Sequence, residues 1–344
     1  MVFLTKSNIP KMGGSDQITE DIPNFRGNKP ADDMNRRNYL GALGTVTAGV
    51  RLNPGTLLAG KPESAGVRLG GPLFQAYNDP GQWVEQLKGL GYRAAYCPVA
   101  VEEDDRVVRA YELAARENDI VIAEVGAWSN PLSTDPAEAS EAMETCISGL
   151  ALADRIGANC CVNISGSRNK EYWAGPHPDN LSAGVFDLVV ENTRKIIDAV
   201  KPTRTCFALE AMPWSFPDSA STYLELIEAV DRKQFGVHLD PVNMITSVRA
   251  YFGNGALIRD LFERLGLWIR SCHAKDITLR QDNYIPQLDE LRPGLGSLDY
   301  VVYLQELAKL PDIPLMMEHL DSAEAYRQAA TYIKSVATSL QIEM

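Results

Sequence analysis

From Val67 onward, short apolar runs alternate with segments whose apolar residues recur at three- and four-residue spacing. The first pattern predicts buried strands and the second amphipathic helices. Strands are expected near 68–74, 94–98, 121–127 and 160–164, and helices near 79–90, 104–117, 136–156 and 183–200. Pro80 sits in a predicted first turn, and Gly91 and Gly157 sit where the first and third helices should stop. Four more apolar runs follow, Cys206–Glu210, Phe235–Asp240, Ile269–His273 and Leu315–Glu318, with a last helix over 322–340. Strict alternation of strand and helix implies a parallel sheet. Eight units favour a closed (β/α)8 TIM barrel over an open, doubly wound sheet. The first strand also lacks the GxGxxG turn of a dinucleotide fold, because Gly70-Gly71 is not followed by the required spacing.

The last four runs each end in a side chain of metal-binding type: Glu210, Asp240, His273 and Glu318, spaced 30, 33 and 45 residues apart. A strand–helix unit takes about 30 residues, so these four should sit at the ends of successive strands, which converge on one face of a parallel barrel. Three carboxylates and one imidazole suit Mn²⁺, Mg²⁺ or Co²⁺ better than structural zinc. A divalent ion there would polarise a carbonyl and acidify the neighbouring C–H. Two carboxylates on opposite sides of that carbon can then remove and return the proton.

Further polar and aromatic residues fall on the same rim. Glu124, Trp128, Asn163, Asn243 and Lys275 are the candidate substrate-binding residues, with Ser165, Arg168, Trp214 and His319 nearby. His238 alternates with Asp240, which puts it on the same face one layer deeper. Lys275 is either a general acid or oxyanion stabiliser, or the ion-pair partner of Asp276. The glycines of the segment Arg292–Tyr300 either bring backbone amides to a ligand or make a tight connection. His177 lies on a long loop that either covers the site or is exposed.

The net charge of −12 argues against a nucleic-acid surface, which needs basic groups to neutralise phosphates, and weakly against anionic lipid. Six cysteines without a CxxC pair read as small buried hydrophobes in a reducing compartment. Residues 1–66 differ from the rest and form an N-terminal extension to a barrel over 67–344. Residues 1–35 are polar, and Arg36-Arg37 precedes a weakly apolar stretch. Residues 34–60 therefore resemble a twin-arginine export signal. The other reading is a cytoplasmic protein whose surface extension packs on the barrel or on a neighbouring subunit. No stretch reaches the roughly 18 apolar residues that span a bilayer.

Leu209-Glu210-Ala211-Met212-Pro213, His238-Leu239-Asp240-Pro241-Val242-Asn243, Cys272-His273-Ala274-Lys275-Asp276 and Glu318-His319 resemble the xylose-isomerase-like superfamily, and within it the sugar phosphate isomerase/epimerase group. The resemblance covers about residues 67–340. It implies a (β/α)8 barrel with one divalent ion, commonly Mn²⁺, on Glu210, Asp240, His273 and Glu318. It also makes Glu210 and Glu318 the acid/base pair of a keto-sugar isomerase or epimerase acting on a small-molecule carbohydrate. Ketose 3-epimerases of this group usually carry His three residues after the Asp, where this chain has Asn243. Barrel subunits of C-glycoside deglycosidases belong to the same group, so a lyase acting on 3-keto glycosides is the alternative. A non-catalytic sugar-binding or partner subunit is the alternative of another class. Members often form homo-oligomers, and a deglycosidase subunit would work in a hetero-complex.

Overall fold

The computed structural model describes residues 66–344; the expectations about the extension, including the signal-like segment 34–60, lie outside the described residues. The strands are β1 (Arg68–Gly70), β2 (Ala94–Tyr96), β3 (Val121–Gly126), β4 (Cys160–Asn163), β5 (Cys206–Glu210), β6 (Phe235–Leu239), β7 (Ile269–Ala274), β8 (Asp276–Leu279), β9 (Leu288–Leu291) and β10 (Pro314–Met317). The helices are α1 (Pro80–Leu90), α2 (Asp105–Glu117), α3 (Pro136–Ile156), α4 (Ala183–Val200), α5 (Ala220–Val230), α6 (Val248–Phe252), α7 (Asn254–Leu265), α8 (Tyr300–Leu307) and α9 (Ala323–Ser339). Strands β1–β7 and β10 close a barrel in the order β1-β10-β7-β6-β5-β4-β3-β2, with every pair parallel. This is a TIM barrel.

Local chemistry sets the helix boundaries. Asp79, Asp104, Asp135, Ser182, Ser219 and Ser322 each accept a backbone N–H of the first turn, a cap worth about 1 kcal/mol apiece. Gly91 and Gly157 end α1 and α3 at φ 66° and 73°, a conformation that glycine adopts without strain.

The main core lies between barrel and helices and contains Trp83, Phe207, Tyr223, Phe235, Ile258 and Tyr303. Small side chains fill the barrel interior in two separate clusters, Ala94–Ala123–Met316 and Cys160–Val162–Ala208. Two irregularities break the alternation of faces. Ala95 and Tyr96 of β2 pair with Ile122 and Glu124, skipping Ala123. Val237 and His238 of β6 pair with Ile269 and Ser271, skipping Arg270. A skipped residue turns two consecutive side chains to one face. Glu124 and Ser271 thereby enter the barrel.

Three features depart from the pattern-based expectation. β1 ends at Gly70, four residues early. An antiparallel hairpin, β8–β9, follows β7 directly. Finally, a short extra helix, α6, precedes α7.

Candidate metal centre and active site

β5, β6, β7 and β10 deliver Glu210, Asp240, His273 and Glu318 to one cluster. Each offers a ligand atom within 4.8 Å of the others. Backbone carbonyls at the strand ends are pinned from outside by buried tyrosines. Tyr223 donates to Leu209 O and His238 O, Tyr303 to His273 O, and Tyr300 to Lys275 O. The outer core thus fixes where the inward side chains point.

His273 Nδ1 stands 2.8 Å from Glu318 Oε1 and 3.2 Å from Glu210 Oε1, so the two carboxylates meet at one nitrogen. Lys275 is buried in the same cluster, with Nζ 2.6 Å from Glu318 Oε1, 2.7 Å from Asp240 Oδ2, 3.6 Å from Glu290 Oε2 and 3.8 Å from Glu210 Oε1. Asp240 Oδ1 accepts the Val242 amide at 2.9 Å, which aims Oδ2 inward. Asn243 Nδ2 donates to Glu210 Oε1 and Ala211 O, both at 3.1 Å. Asn243 is therefore a clamp on Glu210 in this arrangement.

Glu124 lies beneath the cluster and is 2% exposed. Ser271 Oγ donates to its Oε2 at 2.9 Å, its Oε1 is 3.5 Å from His273 Nε2, and His238 Nδ1 is 3.4 Å from its Oε2. The rings of His238 and His273 meet edge-on, with centroids 4.0 Å apart.

The charges interlock. Burial opposes the ionisation of His273, yet Glu318, Glu210 and Glu124 hold its pKa well above the usual histidine value. Lys275 is likewise held well above the ordinary lysine value against its burial, by Asp240 and Glu318 first. Burial raises Glu210. Glu318 is equally buried, but His273 and Lys275 outweigh desolvation and hold it well below the carboxylate norm. Burial and the neighbouring His273 push His238 down to about 3, so it is a neutral imidazole.

The donor set fits a divalent cation. Five carboxylates, on Glu124, Glu210, Asp240, Glu290 and Glu318, face three basic groups, on Lys275, His273 and His319. Buried Asp240 Oδ2 and Glu318 Oε1 lack any hydrogen bond of proper alignment, although Lys275 touches both. Excess negative charge and unsatisfied buried acceptors are what a bound ion relieves.

The remaining expected residues lie apart from the cluster. Asn163 is fully buried but turns outward against α3, bound to Ser129 and to Cys146 Sγ. Trp128 is 44% exposed at the end of β3 and folds back over Gly126, where a Cβ would lie 2.6 Å from its Nε1. Trp214 Nε1 donates to Ala174 O at 2.7 Å, tying together the loops after β4 and β5. His177 caps a single 3₁₀ turn, accepting the Asp179 amide.

Two open alternatives are narrowed. Lys275 does not pair with Asp276, because the Asp276 carboxylate is filled by the amides of Ile277, Gly294, Gly296 and Leu298. Three of those amides, of Gly294, Gly296 and Leu298, belong to the glycine-rich segment, so these amides bind Asp276 instead of a ligand. Sequence reasoning missed Glu290. It comes from β9 and accepts or shares a proton with His319 Nδ1 at 3.2 Å. Leu288-Asp289-Glu290-Leu291 does not alternate, so no strand signal marked it within the long connection.

Residues 84–336 match the family model described as xylose isomerase-like TIM barrel. The chain belongs to this family. No curated protein sequence matches it. Among solved structures, this xylose isomerase-like barrel resembles a probable 3-DHS dehydratase involved in petrobactin synthesis from Bacillus anthracis, with TM-score 0.58, 16% identity, and coverage of 79% of this chain and 98% of that one. It also resembles D-psicose 3-epimerase from Clostridium cellulolyticum H10, at 0.57, 15%, 81% and 100%, and 3-keto-D-glucoside 4-epimerase from E. coli, at 0.57, 14%, 78% and 99%. At these identities the likeness is one of fold. No helix among the described residues is long and apolar enough to cross a membrane.

Proposed function

We propose that this xylose isomerase-like barrel is a divalent-metal-dependent enzyme that isomerises or epimerises a keto-sugar by moving a proton alpha to its carbonyl. Mn²⁺ is the ion we assign, with Mg²⁺ and Co²⁺ as substitutes, on Glu210, Asp240, His273 and Glu318. The observation that carries the reading is the pairing of Glu210 and Glu318 across one imidazole nitrogen with oppositely shifted acidities. Two titratable groups whose environments push their pKa values apart are suited to opposite roles in proton transfer. Glu318 starts as the base: His273 and Lys275 keep it ionised in the metal-free cluster, and a bound ion would do so in their place. Glu210, with the higher proton affinity, is the acid that returns a proton, and Asn243 fixes the direction of its Oε1. When bound, a divalent ion in this cluster supplies Lewis-acid polarisation of the substrate carbonyl.

A second reading keeps the same acid and base but ends in elimination from a 3-keto glycoside. Its support is the mouth. The loop after β4 carries Tyr172, which is 56% exposed, and is tied to Trp214, and Trp128, two residues past β3, is 44% exposed. Such aromatic surface suits a sugar with a second ring attached.

The test is solvent-deuterium exchange into D-ketohexoses and 3-keto-glucosides, with and without Mn²⁺. Glu318→Gln should keep the fold and lower exchange by about 10²–10⁴-fold. Exchange that survives this substitution, or that proceeds unchanged in EDTA, would remove the reading. Release of an aglycone with exchange at the same carbon would favour the elimination.

A further inference from the structure

The position that suits a metal ion is already taken by a side chain. Lys275 Nζ lies 2.7 Å from Asp240 Oδ2 and 2.6 Å from Glu318 Oε1, closer than either carboxylate comes to any other cation. Divalent ions sit about 2.0–2.6 Å from their oxygen ligands. An ion held by the same two oxygens would fall within a bond length or two of the ammonium, where like charges in a buried site repel strongly. Ion and ammonium cannot both occupy the cluster. We infer that Lys275 is a built-in competitor for the metal position, and that ion binding moves its ammonium onto Glu290.

Glu290 is placed to receive it. It is the one carboxylate touching Lys275 Nζ, at 3.6 Å, that is not among the four ligand residues. Its side chain is about a third exposed, whereas those of Asp240 and Glu210 are nearly or fully buried, so it lies toward the mouth. The flexible four-carbon stem lets the ammonium swing outward to pair with it. The inserted hairpin β8–β9 gains a purpose from this. Its first strand begins directly after Lys275, and its second strand carries Glu290 back beside it. Without an ion, the ammonium holds the ligand carboxylates together. With an ion, the same ammonium stands at the rim, where substrate oxygens arrive.

The inference rests on the metal reading above, and the experiment separates the two. Mn²⁺ affinity is measured by calorimetry for the whole chain, for Lys275→Met, for Glu290→Gln and for the double variant, with no substrate present. Removing the competitor should tighten Mn²⁺ binding by tenfold or more. Removing the receiving carboxylate should weaken binding by at least threefold in the natural background and leave it unchanged once Lys275 is gone. Lys275→Met affinity that is weaker, or unchanged within threefold, overturns the exchange, as does a Glu290→Gln effect that persists in the double variant. Should metal-free Lys275→Met fail to fold, Mn²⁺ release to excess EDTA is followed instead on proteins prepared with metal. Slower release than from the natural chain supports the exchange, and equal or faster release overturns it. If neither the natural chain nor Lys275→Met binds Mn²⁺, the metal reading itself fails. Binding by the variant alone supports the exchange in its strongest form.

Discussion

Replacing Asp276 with Ala should destabilise the barrel more than any single substitution on the rim, for a reason unrelated to charge pairing. Oδ1 accepts the amides of Ile277 and Leu298, and Oδ2 those of Gly294 and Gly296, all at 2.9–3.0 Å. Gly294 is exposed and Gly296 half-buried, so water can replace the carboxylate there. Ile277 and Leu298 are buried, and their amides would be left without an acceptor. Each such orphan costs about 1–3 kcal/mol, giving about 4 kcal/mol for Asp276→Ala. Asp276→Asn retains one oxygen. With that oxygen on the buried pair and the NH₂ toward the two glycines, the loss should be only about 1–2 kcal/mol. Urea unfolding of metal-free protein, followed by tryptophan fluorescence and far-UV circular dichroism, measures both. Coincident transitions and an unchanged slope license the comparison. A loss below about 1 kcal/mol for Ala, or equal losses for Ala and Asn, would refute the argument that buried amides set the cost.

Two further outcomes concern the ligands. Glu124 orients His273 through Nε2, so Glu124→Gln should weaken Mn²⁺ affinity by about 10–100-fold while the fold persists, as calorimetry and circular dichroism would show. Undiminished affinity would reduce Glu124 to a filler of the barrel interior. His273 has its pKa raised in the metal-free protein, so at neutral pH it carries a proton that an ion must displace. Mn²⁺ binding should release about one proton, and affinity should fall as pH drops below that raised pKa, by up to about tenfold per pH unit. Calorimetry in two buffers of different ionisation heat counts the proton, and a count of zero would contradict a protonated His273.

The barrel and the clustering of the four strand-end side chains were legible because they depend on repetition. An apolar run followed by an amphipathic helix survives errors of a few residues at each boundary, and an acidic or imidazole side chain at the end of such a run lands on the same face whichever residue closes the strand. What surrounds the ligands depends on single-residue register, which a pattern of apolar and polar positions does not encode. Glu124, next to Ala123 in the third strand, read as a rim residue. The skipped pairing at Ala123 instead sends both inward and places the carboxylate under His273. Asn163 misled in the opposite sense: regular alternation along β4 puts Cys160 and Val162 inside the barrel, and Asn163 therefore turns out toward Cys146 of α3.

The hairpin was hidden for a different reason, and that reason bears on how the site works. β8 and β9 are joined by an exposed tip containing Tyr284 and Ile285; β8 follows directly on the apolar run of β7, and β9 lacks the alternating apolar face that marks a half-buried ribbon. Its base is held by the Asp276 carboxylate and by Ser297 N donating to Ile277 O at 2.9 Å, contacts made by a polar side chain and by backbone. Such an element costs little hydrophobic core and can be inserted after a strand without disturbing the barrel. It also places Glu290 within reach of Lys275 and His319. The four candidate ligands stand at the ends of barrel strands, with β5, β6 and β7 held by the outer tyrosines, whereas the carboxylate that would accept the displaced ammonium sits on an insert anchored at one aspartate. Loosening that anchor should therefore change how tightly the ion binds before it changes which residues bind it.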